Sequence, residues 1–272
     1  MKAEGARGDR SVSIGLWGMV VFFHPSSFIL FFGSSSIQDL YKRSAKSLDW
    51  NPMRIGLFGG TFDPIHWGHL RSAEEVRESF ALDRILFIPT AKPPHKRGQT
   101  KTSARDRLAM VRLALASNPN FRVSTVEINR PGVSYSIDTL RFFAARRRAG
   151  DNYYFILGLD AFREIETWKD FKQVFPLCNF IVTSRPGSRK SNLLSGISVA
   201  VRKLFCYDLK QRTHRHRSGT TLHFLQLTDF AVSASDIRAR VREGKSIRYL
   251  VPDAVEEYIS KRGLYREPAG KK

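Results

Sequence analysis

From residue 53 onward the sequence predicts an α/β fold, a parallel sheet with helices on both faces, and three observations carry that reading. Short apolar runs with strand character alternate with stretches of helical periodicity. The first of these strand candidates leads straight into a glycine-containing turn and then a helix. With 272 residues, of which 42% are hydrophobic, the chain can bury the substantial core that one large domain of this class needs. In such sheets ligands bind outside the carboxyl ends of the strands.

The elements follow in order. Residues 54–58 (R-I-G-L-F) form the first strand candidate, and Leu70, Ala73, Val76 and Phe80 then recur at helical spacing. Residues 84–89 (R-I-L-F-I-P) read as a buried strand. A helix over 104–117 comes next, with Ser103 and Asp106 spaced as a capping box. Strand patterns return at 121–127 and 153–158, separated by a helix from about 137 to 149 that ends on Gly150 as its C′ residue. Residues 179–183 and 224–227 supply two further strands. The segment 185–217 is the least regular, with nine Lys or Arg against the single acid Asp208. Its stretch Q-R-T-H-R-H-R has the charge of a nucleic-acid patch but little aromatic interleaving on which bases could stack, so it reads as a solvated basic loop.

The run Gly59-Gly60-Thr61-Phe62-Asp63-Pro64-Ile65-His66-Trp67-Gly68-His69 is the most informative stretch. It occupies a strand-to-helix turn, where backbone N–H groups and the positive end of a helix dipole favour an anion and glycines admit a phosphate close to the backbone. Its glycines do not make the dinucleotide fingerprint G-x-G-x-x-G, and no P-loop sequence follows. His66 and His69 flank Gly68, whose missing side chain leaves room for both rings to face one ligand. Helix capping and half of a zinc site are the competing readings of H-x-x-H. Zinc is disfavoured because Cys178 and Cys206 are far apart and form no C-x-x-C pair.

The full string resembles the signature of the nucleotidyltransferase superfamily with the H-x-G-H motif, and within it the bacterial nicotinate-nucleotide adenylyltransferases. The same family order runs through Pro93-Pro94-His95-Lys96, Ser134-Tyr135-Ser136-Ile137-Asp138-Thr139-Leu140, Phe155-Ile156-Leu157-Gly158-Leu159-Asp160 with Trp168, Ser184-Arg185-Pro186-Gly187, and Val232-Ser233-Ala234-Ser235-Asp236-Ile237-Arg238. Together these cover about residues 53 to 265. The resemblance implies a Rossmann-like, doubly wound sheet of the nucleotidyltransferase type. It also implies adenylyl transfer from ATP to nicotinate mononucleotide, giving deamido-NAD and pyrophosphate.

Residue roles follow from the resemblance. His66 and His69 would contact the ATP phosphates, His69 being the stronger candidate for the α-phosphate. Thr61 and the backbone of Gly60 and Phe62 would help hold the nucleotide. Ser233, Ser235 and Arg238 match a second phosphate motif. This sequence departs from its usual I-S-S-T-x-I-R, with Ala234 in place of a serine and Ser235 in place of a threonine, so one hydroxyl is missing; Ser235 reads equally as a helix N-cap. For the mononucleotide, Lys96 and, more weakly, His95 would meet the phosphate, Asp160 the ribose and Trp168 the pyridine ring, with Ser136 and Thr139 near its carboxylate. Because few carboxylates besides Asp63 surround the motif, Mg²⁺ is expected to be held by phosphate oxygens and water, with no metal ligands from the protein.

A formal charge of +20 implies a polyanionic ligand or partner, which ATP satisfies. Two cysteines without a pattern argue against a disulfide scaffold and fit a reducing, cytoplasmic setting. Residues 1–52 stand apart. Their apolar stretch 14–32 is interrupted by His24-Pro25-Ser26-Ser27, which argues against a membrane helix, and no A-x-A-like cleavage site follows. They read as an appendage to a domain over 53–265 that opens at Met53, with 266–272 as a basic tail. Two other readings remain: a sister transferase acting on phosphopantetheine or another phosphate acceptor, and a basic nucleic-acid-binding protein, which leaves the histidine motif unexplained.

Overall fold

The computed structural model describes residues 51–94, 102–184 and 197–266. Its strands are β1 (Arg54–Gly60), β2 (Arg84–Pro89), β3 (Phe121–Val123), β4 (Asn152–Gly158), β5 (Asn179–Ser184), β6 (Phe205–Asp208), β7 (Thr213–His216) and β8 (Thr221–Gln226). The helices are α1 (Trp67–Ser79), α2 (Ala104–Leu115), α3 (Ser136–Ala144), α4 (Leu159–Arg163), α5 (Phe171–Val174), α6 (Val199–Arg202), α7 (Ala234–Arg242) and α8 (Asp253–Lys261). One sheet runs in the order β3-β2-β1-β4-β5-β8-β7-β6. It is parallel from β3 to β8 and antiparallel over the last two pairs.

The β4 sequence N-Y-Y-F-I-L-G shows why both faces are covered. Side chains alternate across a strand, so Tyr154 and Ile156 join one core while Tyr153, Phe155 and Leu157 join the other. Leu70, Ala73 and Val76 of α1, Met110, Val111 and Ala114 of α2, Ile237 of α7 and Val255 and Ile259 of α8 close the first core. Ile137, Leu140 and Phe143 of α3, with Phe162 of α4 and Val201 of α6, close the second.

The structure corrects three expectations. Part of the segment read as a basic loop is an antiparallel hairpin, β6 with β7, so the sheet is mixed. The inward residues of β7 are Thr213 and His216, which are buried but polar, and no apolar alternation marks the strand. The third parallel strand stops at Val123, and residues 124–127 form no strand. The helix expected to reach 149 ends at Ala144. From Ala145 to Ala149 every residue is exposed, so no burial holds the next turn; the Arg146 and Arg147 amides turn to the carbonyls three residues back, Phe143 and Ala144. Gly150 is left-handed (φ +87°), but in the turn entering β4 and not at a helix end.

No helix among the described residues is long and apolar enough to cross a membrane. The stretch 14–32, the candidates His95 and Lys96, and most of the tail at 266–272 lie outside the described residues.

Candidate active site

The chain leaves β1 for β2 on one side and later returns to β4 on the other, so the order in which strands are added reverses between the parallel neighbours β1 and β4. Their carboxyl ends, Gly60 and Gly158, open on this switch point, where open α/β sheets bind ligands. The turn 61–66 crosses it.

Local sterics shape that turn. Phe62 takes a left-handed backbone conformation (φ 50°), and its ring is 2% exposed against Phe58 and Phe87. A Cβ on Gly60 would lie 2.8 Å from the Phe62 ring, so only glycine lets the ring fold back under the strand end. Phe62 can therefore offer a ligand its backbone but not its side chain.

His66 is the N-cap of α1, and its amide donates to His69 Nδ1 at 3.3 Å. With Nδ1 accepting, the neutral ring of His69 carries its proton on Nε2, as a donor. The two imidazoles stack with centroids 3.7 Å apart and planes tilted by 30°. A Cβ on Gly68 would stand 3.0 Å from His66 Nδ1, so the glycine of H-x-G-H clears space for this pair.

The second phosphate motif comes to the same place. Ser233 caps α7, its Oγ accepting the Asp236 amide at 3.1 Å and lying 2.9 Å from Ser235 Oγ. The N-cap is thus Ser233, and Ser235 stands exposed in the first turn. Arg238 Nη1 donates to the Asp63 carbonyl at 2.7 Å, joining motifs 175 positions apart. The Val232 carbonyl lies 3.6 Å from the position a Gly68 Cβ would take, so the amino ends of α1 and α7 meet. Amide dipoles and guanidinium charge then favour an anion from two sides.

Sequence reasoning missed Arg107. On α2, and 1% exposed, it donates through Nη1 to the Thr61 carbonyl at 2.6 Å and through Nη2 to the Ala91 carbonyl at 3.1 Å. Burial pushes its pKa down against the opposing pull of Asp63. One signal was available: Arg107, Met110, Val111 and Ala114 fall at i, i+3, i+4 and i+7, which puts the arginine on the buried face.

The mononucleotide candidates are more dispersed. Ser136 is half-buried at the start of α3, and the preceding loop is tied to the strand-end loop by Ser134 amide to Lys92 carbonyl, 3.0 Å. Thr139 is 2% exposed; its hydroxyl donates to Glu127 Oε1 at 2.7 Å and accepts from Arg130 at 3.0 Å. Within the fold it braces Glu127. Asp160 is fully exposed in the first turn of α4 and pairs loosely with Arg163 at 3.8 Å. Trp168, half-buried, meets Phe155 of β4 edge-on at 6.2 Å.

Burial raises the Glu127 carboxyl above its ordinary value, against the lowering effect of the Thr139 hydrogen bond and the Arg130 charge. An acid with a raised folded-state pKa holds its proton more tightly folded than unfolded, so the stability it contributes is lost as pH rises from the ordinary carboxylate range through the folded value. Glu127→Gln, which keeps the acceptor for Thr139, is expected to raise the melting temperature relative to the unmodified protein more at pH 8 than at pH 4.5. Parallel melting profiles for the two proteins would refute this.

The cytidylyltransferase-like family model matches residues 57–240. A relative from Geobacter sulfurreducens, named "Probable nicotinate-nucleotide adenylyltransferase", is 46% identical over 213 residues, 78% of this chain and 98% of its own. One of the same name from Citrifermentans bemidjiense is 49% identical over the same shares. Among solved structures, the Plasmodium falciparum nicotinic acid mononucleotide adenylyltransferase complexed with NaAD superposes with a TM-score of 0.60 at 16% identity, covering 78% of this chain and 97% of that one. At that identity the likeness speaks for the fold alone.

Proposed function

We propose that this chain, which belongs to the cytidylyltransferase-like family, transfers the adenylyl group of ATP to nicotinate mononucleotide, giving deamido-NAD and pyrophosphate. It is a nicotinate-nucleotide adenylyltransferase of NAD biosynthesis. The observation that carries the reading from the molecule itself is the meeting of the H-x-G-H turn and the Ser233–Arg238 motif through the Arg238 bond to Asp63, at the switch point of the sheet.

Adenylyl transfer needs no covalent intermediate on the protein. A phosphate oxygen of the mononucleotide attacks the α-phosphorus of ATP in line and pyrophosphate leaves, so the protein's work is positioning and offsetting charge. His69 Nε2–H is the donor we assign to the α-phosphate, and His66 shares the phosphates from the helix start. Thr61, with the backbone of Gly60 and Phe62, lines the nucleotide. Ser235 and Arg238 would grip the outer phosphates; Ser233 holds the helix start that presents them. Asp160 would take the ribose and Trp168 the pyridine ring. Lys96 and His95 remain the proposed contacts to the mononucleotide phosphate.

A triphosphate brings a divalent ion, which we take to be Mg²⁺ held by phosphate oxygens and water, adding positive charge beside the leaving group. The state of Asp63 supports this: buried to 4% exposure, its Oδ1 already accepts two hydroxyl protons. The catalytic unit is assigned to residues 53–265, within the compact unit Pro52–Lys272.

Pyrophosphate release from ATP, measured with nicotinate mononucleotide, nicotinamide mononucleotide and phosphopantetheine in parallel, tests the assignment. The first acceptor should be preferred; turnover with phosphopantetheine instead would move the chain to a sister transferase. Trp168→Ala should weaken mononucleotide binding by about 1 to 3 kcal/mol, by analogy with bases stacked on aromatics, and leave ATP binding nearly unchanged. Equal losses for both substrates would make the ring a packing element beside Phe155.

A further inference from the structure

We propose that Tyr265 and Thr102 are positioning residues for the phosphate turn, acting through the carboxylate of Asp63. The inference rests on the function assigned above and deepens it by naming what holds the reacting histidines in place.

Asp63 stands three positions before His66 and is held through both its carboxylate and its carbonyl. Its Oδ1 accepts the Thr102 hydroxyl at 2.6 Å and the Tyr265 hydroxyl at 2.8 Å, while its carbonyl takes the Arg238 guanidinium. A carboxylate oxygen that accepts two hydroxyl protons has little freedom to rotate, and the backbone between Asp63 and His66 inherits that restriction.

The route that brings Tyr265 to this oxygen is itself built. Helix α8 docks on α2, with Tyr258 OH donating to Asp106 Oδ1 at 2.9 Å. It then ends in a Schellman turn: Gly263 is left-handed (φ 59°), its amide bonds the Ser260 carbonyl, and the Leu264 amide bonds the Ile259 carbonyl. This reverses the chain, and Tyr265, also left-handed at φ 64°, packs against the first core with its hydroxyl on Asp63. A non-glycine residue in that region is uncommon and is held there only by its surroundings. Burial and the Asp63 charge raise the phenol's pKa above its ordinary value, so it remains a donor across the working pH range.

Mere anchoring of the C-terminal segment would require only the ring. Positioning requires the hydroxyl. Tyr265→Phe keeps the ring and removes the donor, and Thr102→Val and Thr102→Ser remove and keep the other. Tyr265→Phe and Thr102→Val should each lower kcat about tenfold or more, in line with the cost of misplacing reacting groups by a fraction of an ångström to 1 Å. KM for either substrate should change less than about threefold, and Thr102→Ser should stay within about twofold of the unmodified protein.

Imidazole ¹H–¹⁵N resonances of His66 and His69, recorded on the full chain without substrate, should shift in the two donor-less variants. A Tyr265→Phe protein with normal kcat per folded molecule and unshifted imidazole signals would overturn the proposal. If that variant failed to fold, the Thr102 pair would decide it, since equal kcat in Thr102→Val and Thr102→Ser contradicts the role. An inactive unmodified protein would count against the assigned reaction instead, while the imidazole shifts would still test the positioning.

Discussion

His69→Ala is expected to lower kcat by about 10² to 10³, equivalent to roughly 2.7 to 4 kcal/mol of transition-state stabilisation, with a smaller change in ATP affinity. The reason is the fixed direction of its ring. Because Nδ1 accepts the His66 amide, Nε2 carries the proton in the neutral ring, and it is a donor whose alignment requires no reorganisation as charge builds at the α-phosphorus. The variant also loses the bond that caps α1, so its melting temperature should fall by a few degrees, in keeping with about 1 kcal/mol for one hydrogen bond. Turnover must therefore be expressed per folded site. A variant that melts earlier but turns over normally per folded site would reduce His69 to a capping residue.

Arg107→Met should have the larger effect on the fold, lowering stability by about 2 to 4 kcal/mol in urea titration. Two part-buried carbonyls, of Thr61 and Ala91, lose their donors, and each unsatisfied group costs about 1 to 3 kcal/mol, partly offset by removing a cation from the interior. Arg107→Lys should recover only part of the loss, since a single ammonium lacks the planar fork that spans two acceptors. Folded Arg107→Met protein should also turn over more slowly, because the Thr61 segment is freed on one side. Unchanged unfolding midpoints would contradict the bracing role.

Much of this molecule was legible in the sequence where local chemistry and burial agree. The strand at 84–89 is found at those bounds, and Ser103 caps its helix by accepting the Asp106 amide. The H-x-G-H turn lies at a strand end before a helix, as its glycines and histidines indicated. What escaped depends on partners remote in the chain. Thr213 and His216 are interior residues of β7 only because β8 and β6 flank it, and their polarity hid the strand. The bond from Thr139 to Glu127, twelve positions earlier, had no local signal either. Arg107 is an ordinary helix cation until the Thr61 and Ala91 carbonyls are placed above it. The N-cap expected at Ser235 falls instead to Ser233, two positions earlier.

The Asp63 hub has a consequence for how the protein matures. Its side-chain and carbonyl partners come from residues 39, 175 and 202 positions further along the chain. Contacts of such sequence separation carry a loop-closure cost that local contacts do not, and they form late. On the ribosome, the β1 turn emerges early but cannot be locked until the last few residues of the fold have cleared the exit tunnel. The growing chain thus carries, through the 202 positions from Asp63 to Tyr265, a phosphate turn that is written but not yet set, and the enzyme should become competent in one late step instead of by degrees. Nascent chains arrested short of Tyr265 should be compact in the sheet yet poor in turnover.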